Sequence, residues 1–346
     1  MRVRALVLAL PLIVLAACSS GTDTSTTGST GTGASGSTSE AATLGPTVPP
    51  ATAIAAPVAA DQLPTVTGAF GTKPSMTFPA NDPVSSLQRV VLSEGTGPVV
   101  AEGDWLVVNY LGQIWGGDVF DNSFDKGQTL AFQAGPDGQV VSGWKIGMIG
   151  VPVGSRIMLT LPPADGYGSA GSSGAGISGT DTLVFIVDIV QAFGPNTGGQ
   201  TDAVPAAPLP ATGPQVAGAL GAPATVTIPA GTPEPTAPTV TVIATGTGAP
   251  VALGNVLVQY TANAWTGETA GTTWPSADPN AAATGQGGTG PQELPVATDG
   301  PFAGLVGVPV GSRVLVQIPG QAASQTGQAS PAIAAVVDVL NQDSTT

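Results

Sequence analysis

The stretch QVVSGWKIGMIGVPVGSR, residues Gln139–Arg156, decides the fold of the chain around it. Ser142 belongs to a residue type that commonly caps a helix N-terminus, and the apolar residues after it recur at helical spacing. Gly150 can end that helix. The turn at 151–155 leads into RIMLTL, Arg156–Leu161, which has the composition of a strand. Because a helix of about two turns is unstable alone in water, we expect it to lie on a sheet.

Short runs rich in β-branched and aromatic residues surround this segment and are separated by Gly, Pro and Asp. Such runs are typical of strands, and the alternation of their side chains places the apolar residues on one face. The sequence therefore predicts an α+β fold, in which an antiparallel β-sheet is wrapped around a short helix. The predicted strands are 88–92, 105–110, 129–133, 156–161 and 183–190.

The same pattern occurs twice along the chain. GVPVGSR is found at 150–156 and again at 307–313, and GAFGTKPSMTFPA at 68–80 is echoed by GALGAPATVTIPA at 218–230. Self-similarity of this kind predicts two tandem copies of one domain. The predicted boundaries are 65–194 for the first copy, 195–215 for a Pro/Ala/Gly linker and 216–342 for the second copy.

The N-terminal region has the composition of an export signal followed by a tether. Residues 1–17 carry two arginines and then an apolar run that is too short to span a membrane. The run ends in Leu-Ala-Ala-Cys18, which resembles the lipobox of bacterial lipoproteins and implies lipidation of Cys18; an ordinary signal peptide is the alternative. Residues 18–64 are predicted to be a disordered Ser/Thr/Gly/Pro tether. We expect a protein anchored by lipid to the cell membrane, on its extracytoplasmic side.

The composition excludes several classes of function. The chain has no histidine, and Cys18 is its only cysteine, so Ser-His-Asp and Cys-His catalysis and the usual zinc sites are ruled out. A formal net charge of −14 makes the chain a poor ligand for nucleic acid or anionic lipid headgroups. We expect no cofactor, no metal and no nucleic-acid partner, and membrane attachment only through the lipid.

Six short motifs follow one another within residues 88–193. They are VVNYLG around Tyr110, VFDNS at 119–123, VVSGW at 140–144, VGSR at 153–156, GYG at 166–168 and GTDTLVF at 179–185. In this order and spacing they resemble the FKBP-type peptidyl-prolyl cis–trans isomerases over a whole family domain. The resemblance implies an FKBP-like fold and isomerisation of X–Pro bonds in proline-containing polypeptide clients.

The resemblance also implies a proline-binding pocket with Trp144 as its floor. The Tyr167 hydroxyl and the Val141 backbone N–H would contact the substrate carbonyl, and Lys126 occupies a position where a basic partner is common. The implied catalytic set is Tyr110, Phe120, Asp121, Trp144, Tyr167 and Phe185, and the implied substrate-binding set is Leu130, Val140, Val141 and Ile177. Two departures stand out: Leu130 replaces a usual aromatic residue, and Ser/Gly residues replace the His-Pro-Gly-Ile loop at 172–178, which predicts a looser flap.

Two classes of function remain open on the sequence. Aromatic residues on a sheet face often belong to a core rather than a pocket. One class is therefore an isomerase acting on exported proteins in an apolar pocket, and the alternative is a non-catalytic FKBP-like chaperone or binding lipoprotein. Isomerisation needs no nucleophile, because the barrier of about 20 kcal/mol arises from amide conjugation. A macrolide of the rapamycin type is expected to bind the first copy, more weakly than is usual for the family.

The second copy is predicted to keep the fold without the activity. Ala270 and Gly271 stand at the positions of Phe120 and Asp121, although Tyr260 matches Tyr110. Three further differences affect the pocket. Pro301, followed by Phe302, stands at the Trp144 position, and Ala335 stands at the Phe185 position. No tyrosine follows Tyr260, so none can replace Tyr167.

Overall fold

The computed structural model describes residues 53–136, 138–276, 287–322 and 329–342. These residues form antiparallel sheets of six and seven strands and two separate two-stranded hairpins. None of their helices has the length and apolar character needed to cross a membrane. The predicted signal segment 1–17 and Cys18 lie outside the described residues.

The six-stranded sheet belongs to the first half of the chain. The strands of this half are β1 (Thr65–Thr67), β2 (Ser75–Thr77), β3 (Gln88–Ser93), β4 (Trp105–Ile114), β5 (Val119–Asn122), β6 (Leu130–Gln133), β7 (Arg156–Leu161) and β8 (Leu183–Phe193). The strand order of the sheet is β3-β7-β8-β4-β5 with β6 beside β4. All five strands predicted from the sequence are present, and β4 and β8 continue further than expected.

Helix α1, Ser142–Gly147, lies on one face of this sheet and buries Trp144 there. Two glycines allow the close approach: a Cβ at Gly143 would lie 2.7 Å from Leu161 Cγ, and one at Gly147 would lie 2.7 Å from Leu159 Cδ1. This contact seals the apolar face that the strand alternation predicted.

Both predicted ends of the helix are wrong. The N-cap residue is Val141, in an extended conformation, and Ser142 is already the first helical residue. Val141, with φ −58° and ψ 148°, is therefore the last non-helical residue before the helix. Its last residue is Gly147, whereas Gly150 adopts a positive φ of 81° in the turn that follows.

The prediction of a single apolar face is also wrong, because the opposite face of the sheet is buried too. Met158, Val184 and Ile186 form a second core there, and the hairpin β1–β2 covers it. Leu63, with 8% of its surface exposed, is part of the same core.

The prediction of a disordered tether over 18–64 fails at its C-terminal end, residues 53–63. Ile54 packs against the core beneath α1, Val58 packs under the hairpin, and the Ala55 N–H donates a 2.9 Å hydrogen bond to the Leu87 carbonyl. These few apolar side chains are enough to hold a Pro- and Ala-rich segment against the sheet.

The seven-stranded sheet belongs to the second half of the chain. The strands of this half are β9 (Val204–Pro205), β10 (Gln215–Ala217), β11 (Thr225–Thr227), β12 (Thr239–Thr245), β13 (Gly254–Ala264), β14 (Thr269–Thr272), β15 (Gln292–Val296), β16 (Arg313–Ile318) and β17 (Ile333–Gln342). The order of the sheet, β9-β12-β16-β17-β13-β14 with β15 beside β13, repeats the order of the first sheet and adds β9 at one edge. The hairpin β10–β11 packs on this sheet. The position of α1 is taken by one 3-10 turn, Ala303–Leu305.

Each half contains a buried ion pair between its two central strands. Arg156 Nε donates to Asp188 Oδ1 at 2.6 Å, and Arg313 Nε donates to Asp338 Oδ1 at 2.6 Å. The remaining guanidinium N–H groups donate to backbone carbonyls of the loop at the tip of the covering hairpin. A buried charge pair needs such additional hydrogen-bond partners, so the hairpin loop helps to stabilise the ion pair in each half.

The segment predicted as a linker, 195–215, is held against the second sheet. The Gln259 side chain donates a 2.7 Å hydrogen bond to the Pro195 carbonyl, and the Gly199 N–H donates a 3.1 Å bond to Asp338. Residues Val204–Pro205 then add a strand to that sheet.

Candidate functional site

A cluster of aromatic rings surrounds Trp144 on the α1 face of the first sheet. The ring centroid of Trp144 lies 5.4 Å from that of Tyr110 and 5.0 Å from that of Phe185, in edge-to-face geometry. Phe120 makes a further edge-to-face pair with Phe185 at 5.5 Å. The four rings come from β4, β5, β8 and α1, which the strand order brings together.

Gly112 makes the Phe120–Phe185 pair possible, although sequence reasoning did not single it out. It lies directly opposite Phe185 in the β4–β8 register. A Cβ at this position would lie 2.6 Å from the Phe120 ring and 2.8 Å from the Phe185 ring. A glycine in the interior of a strand often marks such a close approach, so its place in β4 was the available signal.

Phe132 is a second residue that sequence reasoning missed. Its ring lies 5.4 Å from that of Trp144, and only 4% of its surface is exposed. It follows Leu130 by two positions in β6, which puts both side chains on one face of the strand. Leu130 is partly buried and packs against the same core. The strand that lacks the expected aromatic residue at Leu130 therefore supplies a ring two residues later, where it supports Trp144.

A charged group lies at the edge of the ring cluster. The Tyr110 hydroxyl donates a 2.6 Å hydrogen bond to Asp121 Oδ2, and Lys126 Nζ donates a 2.5 Å bond to Asp121 Oδ1. Partial burial raises the pKa of Asp121, but the bonds from Lys126 and Tyr110 outweigh it and hold that pKa below its usual range. Burial, and then the bond to Asp121, raises the pKa of Tyr110. Both groups therefore keep their ordinary charge states at neutral pH.

Two of the predicted donors make no hydrogen bond to another described residue. The Tyr167 side chain is half-buried, and its pKa is raised by that burial and then by the nearby charge of Asp121. The backbone N–H of Val141 lies at the N-cap of α1, next to the rings. A hydroxyl and an amide beside an apolar surface can hold one carbonyl oxygen.

The remaining predicted residues also lie at this cluster. Ile177 and Val141 are buried, with 4% and 8% of their surfaces exposed, and Val140 is partly buried. The loop that carries Ile177 is closed by two backbone hydrogen bonds: Ser172 N–H to the Ile177 carbonyl at 2.8 Å, and Ile177 N–H to the Ser172 carbonyl at 2.9 Å. Every residue of the predicted catalytic and substrate-binding sets thus belongs to or borders one core.

Comparisons with known proteins identify the family to which this chain is similar. Residues 97–190 match the family described as FKBP-type peptidyl-prolyl cis-trans isomerase. The chain is 40% identical over 119 residues to an FK506-binding protein of Streptomyces anulatus, which covers 34% of this chain and 95% of the relative. It is 37% identical over 121 residues to a probable FK506-binding protein of Corynebacterium glutamicum, covering 35% of this chain and 98% of the relative. The crystal structure of FkpA from Escherichia coli is similar with 36% identity and a TM-score of 0.29, over 32% of this chain and 49% of that one.

The sheet topology and the family match define an FKBP-like domain built on an antiparallel sheet. The chain belongs to the FKBP-type peptidyl-prolyl cis–trans isomerase family. The predictions of this family and of its enzyme class are confirmed. The matches to these two relatives cover about a third of the chain.

Proposed function

We propose that the first half of the chain isomerises X–Pro bonds in an apolar pocket lined by the rings around Trp144. The observation that carries the proposal is the edge-to-face cluster of Tyr110, Phe120 and Phe185 around Trp144. Beside it lie the Tyr167 hydroxyl and the Val141 N–H, neither of which is hydrogen-bonded to another residue that the structure describes. Amide rotation has a barrier of about 20 kcal/mol because the planar amide is conjugated. The twisted state loses conjugation and much of its charge separation, so a pocket that excludes water favours it over the planar state.

The aromatic side chains exclude water from the pocket, and the polar groups orient the substrate carbonyl. Trp144 forms the floor against which the proline ring packs, and Phe120 and Phe185 form its walls together with Tyr110. The Tyr167 hydroxyl and the Val141 N–H donate hydrogen bonds to the substrate carbonyl as the amide turns. Asp121 fixes Tyr110 through their hydrogen bond and carries the Lys126 ion pair at the rim.

Two phenylalanine variants test the pocket. Phe120→Leu removes one ring of a pair whose centroids are 5.5 Å apart on the pocket face, and Phe78→Leu removes one ring of the Phe78–Trp115 pair, also 5.5 Å apart, on the opposite face. Turnover of a prolyl peptide is measured for the full chain and both variants. We expect kcat/KM to fall about tenfold or more for Phe120→Leu, while Phe78→Leu keeps the activity of the folded chain.

Equal losses in the two variants would mean that the rings act only through stability. Absence of turnover in the unsubstituted chain would refute catalysis by this half. In that case the pocket would serve the non-catalytic binding function.

We further propose that the isomerase works outside the cytoplasm, tethered to the membrane by a lipid on Cys18. The motif Leu-Ala-Ala-Cys18 and the apolar run before it support this placement. The clients are then exported polypeptides whose X–Pro bonds are exposed before folding. Because relatives of this chain are named FK506-binding proteins, we also propose that a macrolide of the rapamycin type occupies the same pocket.

We propose that the second half is an FKBP-like domain that has lost isomerase activity. Its strand order and its buried Arg313–Asp338 pair support common architecture with the first half. Ala270 and Gly271 lie on the strand that corresponds to β5, so the Phe120 ring and the Asp121 carboxylate have no counterpart. Phe302 is partly buried against the core at the 3-10 turn that takes the place of α1. Without a floor, a wall and a carboxylate, this half would serve as a spacer or a binding surface.

A further inference from the structure

The hairpin β1–β2 reaches the loop that follows β5, the strand that carries Asp121. Lys73, at the end of the hairpin turn, places Nζ 2.5 Å from Asp125 Oδ2. Asp125 in turn accepts a 3.0 Å hydrogen bond from the Asn122 side-chain amide, and its own N–H donates a 2.8 Å bond to Asn122 Oδ1. Asn122 is the neighbour of Asp121, so a continuous set of contacts joins the hairpin to the rim of the pocket.

The base of Lys73 is fixed by the buried ion pair. Arg156 Nη2 donates to the Thr72 carbonyl at 2.7 Å, and Arg156 Nη1 donates to the Gly68 carbonyl at 2.7 Å. The Gly71 N–H donates to Asp188 Oδ2 at 2.7 Å. An exposed ion pair between two flexible side chains contributes little, since both must be ordered. Here one partner projects from a loop that is already ordered, which lowers that cost.

The second half of the chain provides an internal comparison. It keeps the hairpin and its anchors: Arg313 donates to the Ala222 carbonyl at 2.7 Å, as Arg156 does to Thr72. It lacks the link to the loop, because prolines 223 and 275 stand at the positions of Lys73 and Asp125. The hydrogen bonds from the buried arginine to the hairpin are therefore present in both halves. The Lys73–Asp125 contact is found in the half that also has the Asp121 carboxylate and the ring cluster.

From this difference we propose that Lys73 and Asp125 are positioning residues for the isomerase: they hold the end of β5 and the loop after it, residues 121–127, so that Asp121 and its partners stay in place when substrate binds. This inference rests on the proposed catalytic function of the first half. Neither Lys73 nor Asp125 is a catalytic residue, because both act through Asn122 and the backbone of the loop. The hairpin lies outside residues 97–190, which match the family model.

The bond from Lys73 lowers the pKa of Asp125, as does the bond from Asn122. Asp125 therefore stays charged around neutral pH, and the contact is present under ordinary assay conditions. A loop that is held in advance does not have to be ordered by the substrate, so loss of the contact should weaken substrate binding more than it slows the bound complex.

The test uses the full chain with Lys73→Met, Asp125→Asn, the double variant and Lys73→Arg. We expect each single neutral variant to raise KM and lower kcat/KM by about two- to fivefold, the range set by partly exposed ion pairs, with the chain fully folded at the assay temperature. The double variant should lose no more than either single one, and Lys73→Arg should keep most of the activity. Asp82→Asn is the matched control, since Asp82 is exposed and forms no ion pair with another described residue.

Three outcomes would overturn the proposal. They are unchanged kcat/KM in Lys73→Met, additive losses in the double variant, or a loss that follows only the fraction of unfolded chain. Absence of turnover in the unsubstituted chain would refute the proposed function and this role with it. If the unsubstituted chain and Lys73→Met turn over the substrate equally well, the positioning role alone is refuted and the proposed function stands.

Discussion

The Tyr110 hydroxyl offers the sharpest test of the polar part of the site. Tyr110→Phe removes one hydrogen bond, 2.6 Å long, to the Asp121 carboxylate and keeps the ring that contacts Trp144 at 5.4 Å. The second half supplies the matched control. Tyr260 occupies the corresponding place in β13, but Gly271 stands where the carboxylate would be, so Tyr260→Phe removes a hydroxyl without removing such a bond.

The size of the effect follows from the exposure of the acceptor. A hydrogen bond to a charged group contributes about 1.5–3 kcal/mol. The Asp121 side chain is 36% exposed and retains its bond to Lys126, so solvent screening reduces the expected loss to about 1–1.5 kcal/mol. For Tyr260→Phe we expect a change within about 0.5 kcal/mol.

Amide hydrogen exchange in β4 and β8 reports the stability of the first half, and exchange in β13 and β17 reports that of the second. Prolyl-peptide turnover is measured on the same samples. We expect kcat/KM to fall by about three- to tenfold for Tyr110→Phe and to remain unchanged for Tyr260→Phe. In a double-mutant cycle with Asp121→Asn, the coupling energy should be about 1 kcal/mol.

Two results would refute this reasoning. Equal destabilisation by Tyr110→Phe and Tyr260→Phe would show that the carboxylate adds nothing to the hydroxyl. A coupling energy near zero would show that the Tyr110–Asp121 bond does not contribute in solution.

Three further predictions concern pH, export and the second half. Because the pKa of Asp121 in the folded chain lies below its unfolded value, its contribution to stability is complete above about pH 4 and is lost as pH falls through the folded pKa. The pH profile of kcat/KM should therefore be level near neutrality and fall only on the acid side, and Asp121→Asn should lack that acid limb. Cys18→Ser should shift the protein from the membrane fraction to the medium or leave an uncleaved precursor, and processing and retention like those of the unsubstituted chain would contradict lipidation. Residues 195–346 should give the circular dichroism of a folded β-rich domain without accelerating prolyl isomerisation, and turnover comparable with that of the full chain would contradict the loss of activity.

The sequence by itself determined five strands of the first half, the presence of the short helix and the family. Alternation within β4, β7 and β8 is a local property, and the order of six motifs over residues 88–193 is specific enough to name the fold they build. The same order pointed to Tyr110, Phe120, Trp144, Phe185 and Asp121, because each is carried by a motif. It did not single out Phe132, which lies outside the motifs. The two copies of GVPVGSR pointed to a second sheet with the same strand order.

The tertiary structure decided what depends on contacts between segments remote in sequence. Arg156 reaches the carbonyl of Gly68, and Lys73 reaches Asp125, although no local pattern links these positions. The hairpin β1–β2 also buries the sheet face opposite α1. Nothing in the composition of the hairpin predicted this packing. The end of the tether, the N-cap at Val141 and the support of Trp144 by Phe132 were settled in this way too. In each case the interaction, whether burial of apolar surface, a hydrogen bond or an ion pair, joins partners that only the folded chain brings together.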